Sequence, residues 1–175
     1  YLGMSQNKEV IQSMIMAAEK LGAGSGGTRN ISGTTQNHIL LEEEIAKLHK
    51  KERALAFNSG YSANESALKS IISAFDNCLV LSDELNHASL IEGIRGSKKE
   101  KAIFKHNDVA HLKKVLKGVS FERPKIIVVE SVYSMEADFS PLEDIVEVAQ
   151  ENGALIYLDE VHAVGLYGSS GGGIA

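Results

Sequence analysis

Cysteine is almost missing from this chain, because Cys78 is the only one among 175 residues. A single cysteine excludes an internal disulfide, so the fold does not require an oxidising compartment. Cys78 stands beside a predicted strand and is expected to be a small buried hydrophobic residue rather than a nucleophile. The sequence also has no internal repeat and no low-complexity linker.

Long apolar runs and basic tracts are missing as well. No stretch approaches the ~20 apolar residues of a membrane-spanning helix, and no secretion signal opens the chain. The formal net charge is -5, and the densest basic stretch, Lys98, Lys99 and Lys101, is interrupted by Glu100. Such a stretch is typical of a solvated turn, whereas nucleic-acid binding needs clustered cations. We therefore expect no nucleic-acid partner and no membrane association.

Apolar residues recur first with helical spacing and then in short runs, which predicts alternating helices and strands. This alternation indicates one α/β domain, with a mostly parallel sheet and helices on both faces. In the second helix, Ile39, Leu40, Ile45 and Leu48 are expected to face a core, and Glu42, Glu43 and Glu44 to face water. The predicted helices cover residues 9–21, 35–51, 63–75, 88–94, 109–116 and 141–150, and the predicted strands 54–57, 78–81, 102–105, 125–130 and 154–159.

Polar residues follow the ends of the predicted strands. They lie at 58–61, 82–87, 131–135 and 159–162. Because the carboxyl ends of parallel strands meet at one edge of a sheet, and ligands bind at that edge, these segments are expected to form the site.

Gly22, Gly24 and Gly27 satisfy the G-x-G-x-x-G pattern of dinucleotide-binding proteins. That pattern has meaning only between a strand and a helix, and here it follows a predicted helix. We therefore expect these glycines to let the backbone approach a ligand or a second subunit.

The segment Ser59-Gly60-Tyr61 opens a helix after a predicted strand. Free backbone N–H groups and the helix dipole favour a phosphate at such a position. An ordinary strand-to-helix turn accounts for the same residues, so both interpretations stand at this point.

Asp159 ends an almost wholly apolar strand and is followed by Glu160, Val161 and His162. A partly buried carboxylate needs a cationic or hydrogen-bonding partner. One candidate is the protonated ring nitrogen of pyridoxal phosphate (PLP). The alternative is a metal ion, but the sequence offers no obvious further metal ligands beside Asp159 and His162, so we expect no metal.

His87 could stack on a flat cofactor or cap a surface helix.

Taken together, several strings resemble the α-oxoamine synthase family of fold-type I PLP enzymes, and the resemblance covers essentially the whole chain. The strings are YLGM from Tyr1, GAGSGGTRNISGT from Gly22, NHASLIEGI from Asn86, HNDVAHL from His106, ESVYSMEADFSPL from Glu130 and DEVHAVGLYG from Asp159. The GAGSGGTRNISGT string is similar to that of the member that condenses glycine with succinyl-CoA, releasing CoA and carbon dioxide and giving a haem precursor. Two alternatives remain: a sister acyltransferase that uses another acyl-CoA, and a noncatalytic binding module with the same fold.

The resemblance implies a role for each matching residue. Asp159 is implied to pair with the pyridinium nitrogen, His162 and Ser134 to bind near the phenolic oxygen, and His87 to stack on the ring. Backbone N–H groups of Gly60 and Tyr61 are implied to hold the phosphate, and Tyr1 to lie close to the cofactor. Thr28, Arg29 and Asn30 are implied to hold the acyl-CoA carboxylate or the cofactor of a neighbouring subunit, because family members are homodimers with shared sites.

The resemblance also implies segments that this sequence does not contain. Residues 1–175 correspond to part of the PLP-binding large domain. The family's N-terminal arm, its Schiff-base lysine and its small C-terminal domain are expected to lie outside them. We therefore expect the 175 residues alone to be inactive, and the enzyme to work in a bacterial cytoplasm or a mitochondrial matrix.

Overall fold

The computed structural model describes residues 1–175, which divide into two compact units, Tyr1–Ala56 and Phe57–Ala175. The first unit contains helix α1, Lys8–Leu21, and helix α2, Gln36–Leu48. A short 3-10 turn, Met4–Gln6, precedes α1, and one π-helical turn lies in the loop between the two helices. Both helices were predicted, and α2 starts directly after Thr35, as expected.

The apolar faces of α1 and α2 are largely uncovered. Helix α1 has no buried residue, and Ala46 is the only buried residue of α2. The prediction that Ile39, Leu40 and Ile45 face a core is wrong, because these side chains are 38–48% exposed. The prediction that Glu42 faces water is also wrong, since its carboxylate binds Arg29.

The second unit is an α/β layer structure. Its helices are α3 (Gly60–Ser73), α4 (Ala88–Ser97), α5 (Val109–Leu116) and α6 (Leu142–Asn152). Its strands are β1 (Leu79–Asp83), β2 (Glu100–Phe104), β3 (Lys125–Glu130), β4 (Val132–Tyr133), β5 (Asp138–Phe139) and β6 (Ala154–Asp159). Four of the strands form a parallel sheet in the order β2-β1-β3-β6.

The two faces of the sheet bury separate apolar clusters, as the alternation of side chains along a strand requires. Ile127 and Val129 of β3 belong to the cluster shared with α5 and α6. Ile126 and Val128 belong to the cluster shared with α3 and α4, which also buries Cys78. Helices therefore cover both faces, and the predicted fold class is confirmed.

Helices α3 and α4 pack closely because Gly93 has no side chain. A β-carbon at Gly93 would stand 2.8 Å from the β-carbon of Leu68 and 2.9 Å from the carbonyl oxygen of Asn64. Any larger residue would push the two helices apart. This contact sets the position of Asn64 on α3.

The predicted strand 54–57 does not form. The N–H of Ala56 donates to the carboxylate of Glu42 at 2.7 Å instead of to a neighbouring strand, and Leu55 is 67% exposed. A segment without a pairing partner cannot complete a sheet ladder, so its apolar run stays irregular.

A small antiparallel hairpin of β4 and β5 was not predicted. Each strand has only two residues, too few for a periodic pattern to appear. None of the helices has the length and apolar character needed to cross a bilayer.

Candidate active site

A cavity of about 420 Å³ lies where strands β3 and β6 end and helix α3 begins. This volume falls within the ~300–1,000 Å³ of typical small-molecule sites. Predicted site residues that line it are Gly60, Tyr61, His87, Asp159 and His162. The structure therefore brings together at one sheet edge most of the residues expected to hold a cofactor.

One wall of the cavity is the N-terminus of α3. Ser59 is the N-cap residue of the helix, and its Oγ accepts the N–H of Ser62 at 3.1 Å. Gly60 and Tyr61 are the first helical residues, so their N–H groups have no acceptor within the helix. Apart from its chain neighbours and the backbone of its own helix turn, no protein atom lies within 4 Å of the place where a β-carbon on Gly60 would stand. This wall can therefore receive an anion directly against the backbone.

Asp159 supplies a negative charge at the end of β6. Its Oδ2 accepts from Asn64 Nδ2 at 2.7 Å, and its Oδ1 accepts from the N–H of Val161 at 2.9 Å. Both donors are neutral, so they fix the carboxylate without cancelling its charge. The hydrogen-bonding partner that the sequence predicted for Asp159 is present.

A chain of hydrogen bonds joins Asp159 to the ring of His87. Asn64 Nδ2 also donates to Ser89 Oγ at 3.0 Å, and Ser89 Oγ lies 2.8 Å from His87 Nδ1. The N–H of Ser89 donates to the same ring nitrogen at 3.2 Å. Because Nδ1 accepts, a neutral His87 carries its proton on Nε2. Tyr157 completes the chain by donating to Asn64 Oδ1 at 3.0 Å.

Asn64, Ser89 and Glu130 line the cavity but were not predicted as site residues. Asn64 lies one helical turn after Gly60, and residues four apart share a helix face. Ser89 follows His87 by two residues at a helix start. These two spacings are the sequence signals that could have identified Asn64 and Ser89 as site residues.

Glu130 ends β3 directly opposite Asp159 in the register of the two strands. Its side chain is buried, and its Oε1 accepts the backbone N–H of His87 at 2.6 Å. Burial raises the pKa of Glu130 to about 7, the hydrogen bond from His87 opposes this rise, and the charge of Asp159 adds to it. Two carboxyl groups therefore border one cavity in different environments.

Ser134 and Tyr1 do not line the cavity. Ser134 is exposed in the turn between β4 and β5. Tyr1 is 86% exposed and belongs to the first unit. Their roles at the cofactor stay predictions.

Thr28, Arg29 and Asn30 lie together in the loop of the first unit. Arg29 forms a two-pronged ion pair with Glu42, in which Nη2 lies 3.0 Å from Oε2 and Nη1 contacts Oε1. The hydrogen bonds from Arg29 lower the pKa of Glu42 to about 2, and the N–H of Ala56 adds to this effect. The guanidinium is therefore already engaged, whereas Thr28 and Asn30 are exposed beside it.

Gly33 allows this loop to fold closely on itself. At Gly33, a β-carbon would stand 2.0 Å from the carbonyl oxygen of Gly27. The loop can therefore close on itself only without side chains at this point. No group of three or more His, Cys, Asp or Glu side chains forms a candidate metal site in the chain.

Comparison with curated proteins shows high similarity over the full chain. The chain is 54% identical over 175 residues to 5-aminolevulinate synthase 2 of Cereibacter sphaeroides, covering all of the chain and 43% of that protein. It is 53% identical to 5-aminolevulinate synthase of Rickettsia bellii, again over the whole chain and 42% of the relative. The chain thus spans less than half the length of these curated relatives.

Solved structures with similar folds include a serine palmitoyltransferase from S. paucimobilis with bound PLP and myriocin. It matches with a TM-score of 0.94 and 34% identity over 99% of this chain and 43% of that one. An 8-amino-7-oxononanoate synthase from Francisella tularensis matches with a TM-score of 0.78 and 27% identity, over 99% of this chain and 46% of that one.

The family model described as aminotransferase class I and II matches residues 1–174. Together with the relatives above, this match confirms the resemblance drawn from the sequence. The chain belongs to the aminotransferase class I and II family.

Proposed function

We propose that this chain is the central part of the PLP-binding domain of a 5-aminolevulinate synthase. The proposed reaction condenses glycine with succinyl-CoA and gives 5-aminolevulinate, CoA and carbon dioxide, the first step towards haem. The identity of 51–54% to curated 5-aminolevulinate synthases supports this reaction. The observation that carries the proposal is the Asp159 carboxylate, fixed by neutral donors at the edge of the cavity.

The residues of the cavity fit PLP at both ends of that molecule. The first-turn N–H groups of Gly60 and Tyr61 suit its phosphate, and the open space in front of Gly60 lets that group approach the backbone. Asp159 suits a protonated ring nitrogen, because the side chain of Asn64 and the N–H of Val161, which hold its carboxylate, are neutral donors. The flat imidazole of His87 also lines the cavity.

When bound, PLP supplies an electron sink for negative charge that develops on the substrate carbon. Asp159 holds the proton on the ring nitrogen, which keeps that sink strong. Asn64 orients the Asp159 carboxylate, and Ser89 fixes the His87 ring. These residues therefore act before any substrate arrives, by ordering the site in advance.

The acyl-CoA is proposed to be read by the loop of the first unit. Thr28 and Asn30 offer neutral donors suited to the terminal carboxylate of a succinyl group. Arg29 is proposed to support the loop through Glu42, because its guanidinium is engaged there. A homodimer is part of the same proposal, and the uncovered apolar face of α1 supports it.

The test uses the full-length protein that contains this chain. Incubated with PLP and glycine, it should form 5-aminolevulinate from succinyl-CoA and little aminoketone from acetyl-CoA or pimeloyl-CoA. Faster turnover with either of those two thioesters would favour a sister acyltransferase. A protein that leaves the absorbance spectrum of added PLP unchanged would instead be a noncatalytic binding module.

A further inference from the structure

Glu130 is a buried acidic residue to which the proposed reaction assigns no role. Its residue exposure is 5%, and its carboxylate lies at the end of β3 beside that of Asp159 on β6. An apolar side chain at this place would avoid the cost of burying a carboxyl group. Packing alone therefore does not account for a glutamate here.

The contact that Glu130 makes is with the residue that begins helix α4. Glu130 Oε1 accepts the backbone N–H of His87 at 2.6 Å. Next to it, Asn86 Nδ2 donates to the carbonyl oxygen of Val128 at 2.8 Å. Strand β3 thus holds the start of α4 at two consecutive residues, and only the Glu130 contact borders the cavity.

The backbone of Glu130 is itself fixed. Its N–H donates to the hydroxyl of Tyr133 at 3.2 Å, and its carbonyl oxygen accepts from Ser140 Oγ at 2.7 Å. The hydroxyl of Tyr133 reaches Asn86 Oδ1 at 3.3 Å. Glu130 is therefore a rigid acceptor rather than a mobile surface group.

The ring of His87 is fixed to its own helix, because Nδ1 accepts the N–H of Ser89. The place of the ring in the cavity then depends on where the backbone at His87 lies. We propose that Glu130 is a positioning residue that sets the place of His87 by binding its backbone N–H. This inference rests on the proposed PLP site, in which the ring of His87 faces the cofactor. The raised pKa of Glu130 reflects the cost of burying its carboxyl group, and the fold keeps a carboxyl group at this contact despite that cost.

The experiment compares Glu130→Ala, which has no acceptor, with Glu130→Gln, which keeps an oxygen at the same distance. Glu151→Ala, an exposed position on α6, is the matched control. In the full-length protein without PLP, hydrogen exchange of the His87 amide is measured first. Glu130→Ala should speed this exchange about 10-fold, the size expected for losing one buried hydrogen bond, and Glu130→Gln should change it less than about 3-fold.

The dissociation constant of PLP is measured next by visible absorbance. It should rise about 10-fold in Glu130→Ala and much less in Glu130→Gln. In a His87→Ala background, Glu130→Ala should add less than about 2-fold, because the two residues act through one contact. Thermal midpoints report whether each variant folds, and Glu130→Asp, which retracts the acceptor by one methylene, replaces Glu130→Ala if that variant does not fold.

Unchanged exchange at the His87 amide in the variant that lacks or retracts the acceptor would overturn the inference. Equal effects of Glu130→Gln and Glu130→Ala would also overturn it, because they would show that charge matters and the acceptor does not. If the parent protein binds no PLP, the proposed function fails, while the exchange measurement still decides whether Glu130 positions His87.

Discussion

Arg29 and Thr28 are neighbours in sequence but have different surroundings. The guanidinium of Arg29 binds the carboxylate of Glu42 on helix α2 at two points, so its charge is balanced within the first unit. Thr28 is exposed, and its carbonyl oxygen accepts the N–H groups of Ile31, Ser32 and Gly33. The side-chain hydroxyl of Thr28 thus stands on an ordered turn, which suits recognition of a substrate group.

We predict that Thr28→Val in the full-length protein lowers kcat/KM with succinyl-CoA by about 10-fold, because a carboxylate loses one hydrogen-bond donor. With acetyl-CoA the loss should stay below about 2-fold, since that acyl group has no carboxylate. Ser25→Ala in the same loop is the control. Steady-state kinetics with both thioesters decide the matter, and an equal loss on each would show that Thr28 does not read the carboxylate.

The sequence predicted Asp159 because it ends an apolar strand, where a carboxylate is conspicuous, whereas the role of His87 was implied only by the family resemblance. It did not predict Asn64 or Glu130. A polar residue inside a helix resembles a solvated one, and the hydrogen bond from Asn64 to Asp159 joins residues 95 positions apart in the chain, which no local pattern indicates. Glu130 was grouped with its strand, and its burial beside a second carboxylate depends on strand register.

At the scale of elements, His106 joins the end of strand β1 to the hairpin of β4 and β5. Its Nδ1 lies 2.9 Å from Asp83 Oδ1, and its Nε2 lies 3.0 Å from Asp138 Oδ2. Its backbone N–H donates to Glu84, and its ring packs edge-on to Tyr133 at 4.5 Å. A neutral imidazole has one N–H, so both ring contacts are satisfied together only by the protonated form.

The pKa of His106 has a direct consequence for stability. Burial lowers this pKa, but the hydrogen bonds and charges of Asp83 and Asp138 outweigh burial and raise it above the usual value of 6.5. Because the pKa of His106 is raised in the folded state, its contribution to the stability of the fold is complete below about pH 6.5. That contribution is lost as the pH rises through the folded-state pKa.

We therefore predict that His106→Gln destabilises the full-length protein by about 2 kcal/mol at pH 6, since glutamine cannot donate to both carboxylates. The difference from the parent should shrink towards pH 9. Thermal midpoints measured across this range test the prediction, with His49→Gln as control. A difference that grows as the pH rises would contradict it.

The bounds of helices and strands were predicted best where local sequence signals mark both ends of the element. Helix α5 and strands β3 and β6 have the predicted bounds, because a capping aspartate and fully apolar runs mark their ends. The predictions of a strand at 54–57 and of a buried face on α2 were wrong for the same reason. An apolar pattern forms a strand or a buried face only when another element covers it, and most of the large apolar side chains of these segments stay 38–67% exposed.

At the scale of the molecule, the first unit exposes much of its apolar surface. Along α1, Val10, Ile11, Met14, Ile15 and Met16 are each 37–68% exposed. Exposed apolar surface of this extent marks an interaction face. The chain spans 43% of its curated relatives, and the proposed homodimer would supply a second copy of the protein to cover this face.

We predict that Met14→Glu weakens dimerisation of the full-length protein at least about 10-fold, because a charge would be buried without a partner. Ser13→Glu, which lies about 100° around α1 from Met14, should have little effect. Sedimentation over a range of concentrations measures the difference. A Met14→Glu protein that stays dimeric at the same concentrations as its parent would show that α1 is not in the dimer interface.

The central claim is that Asp159 holds the proton on the ring nitrogen of PLP during 5-aminolevulinate formation. The most direct measurement is turnover of the full-length Asp159→Asn protein with glycine and succinyl-CoA, alongside its dissociation constant for PLP. An amide carries no charge to favour the protonated ring, so turnover should fall at least about 100-fold and PLP should bind more weakly. Asp76→Asn, at an exposed position, should behave like the parent. Parental turnover in Asp159→Asn would contradict the account.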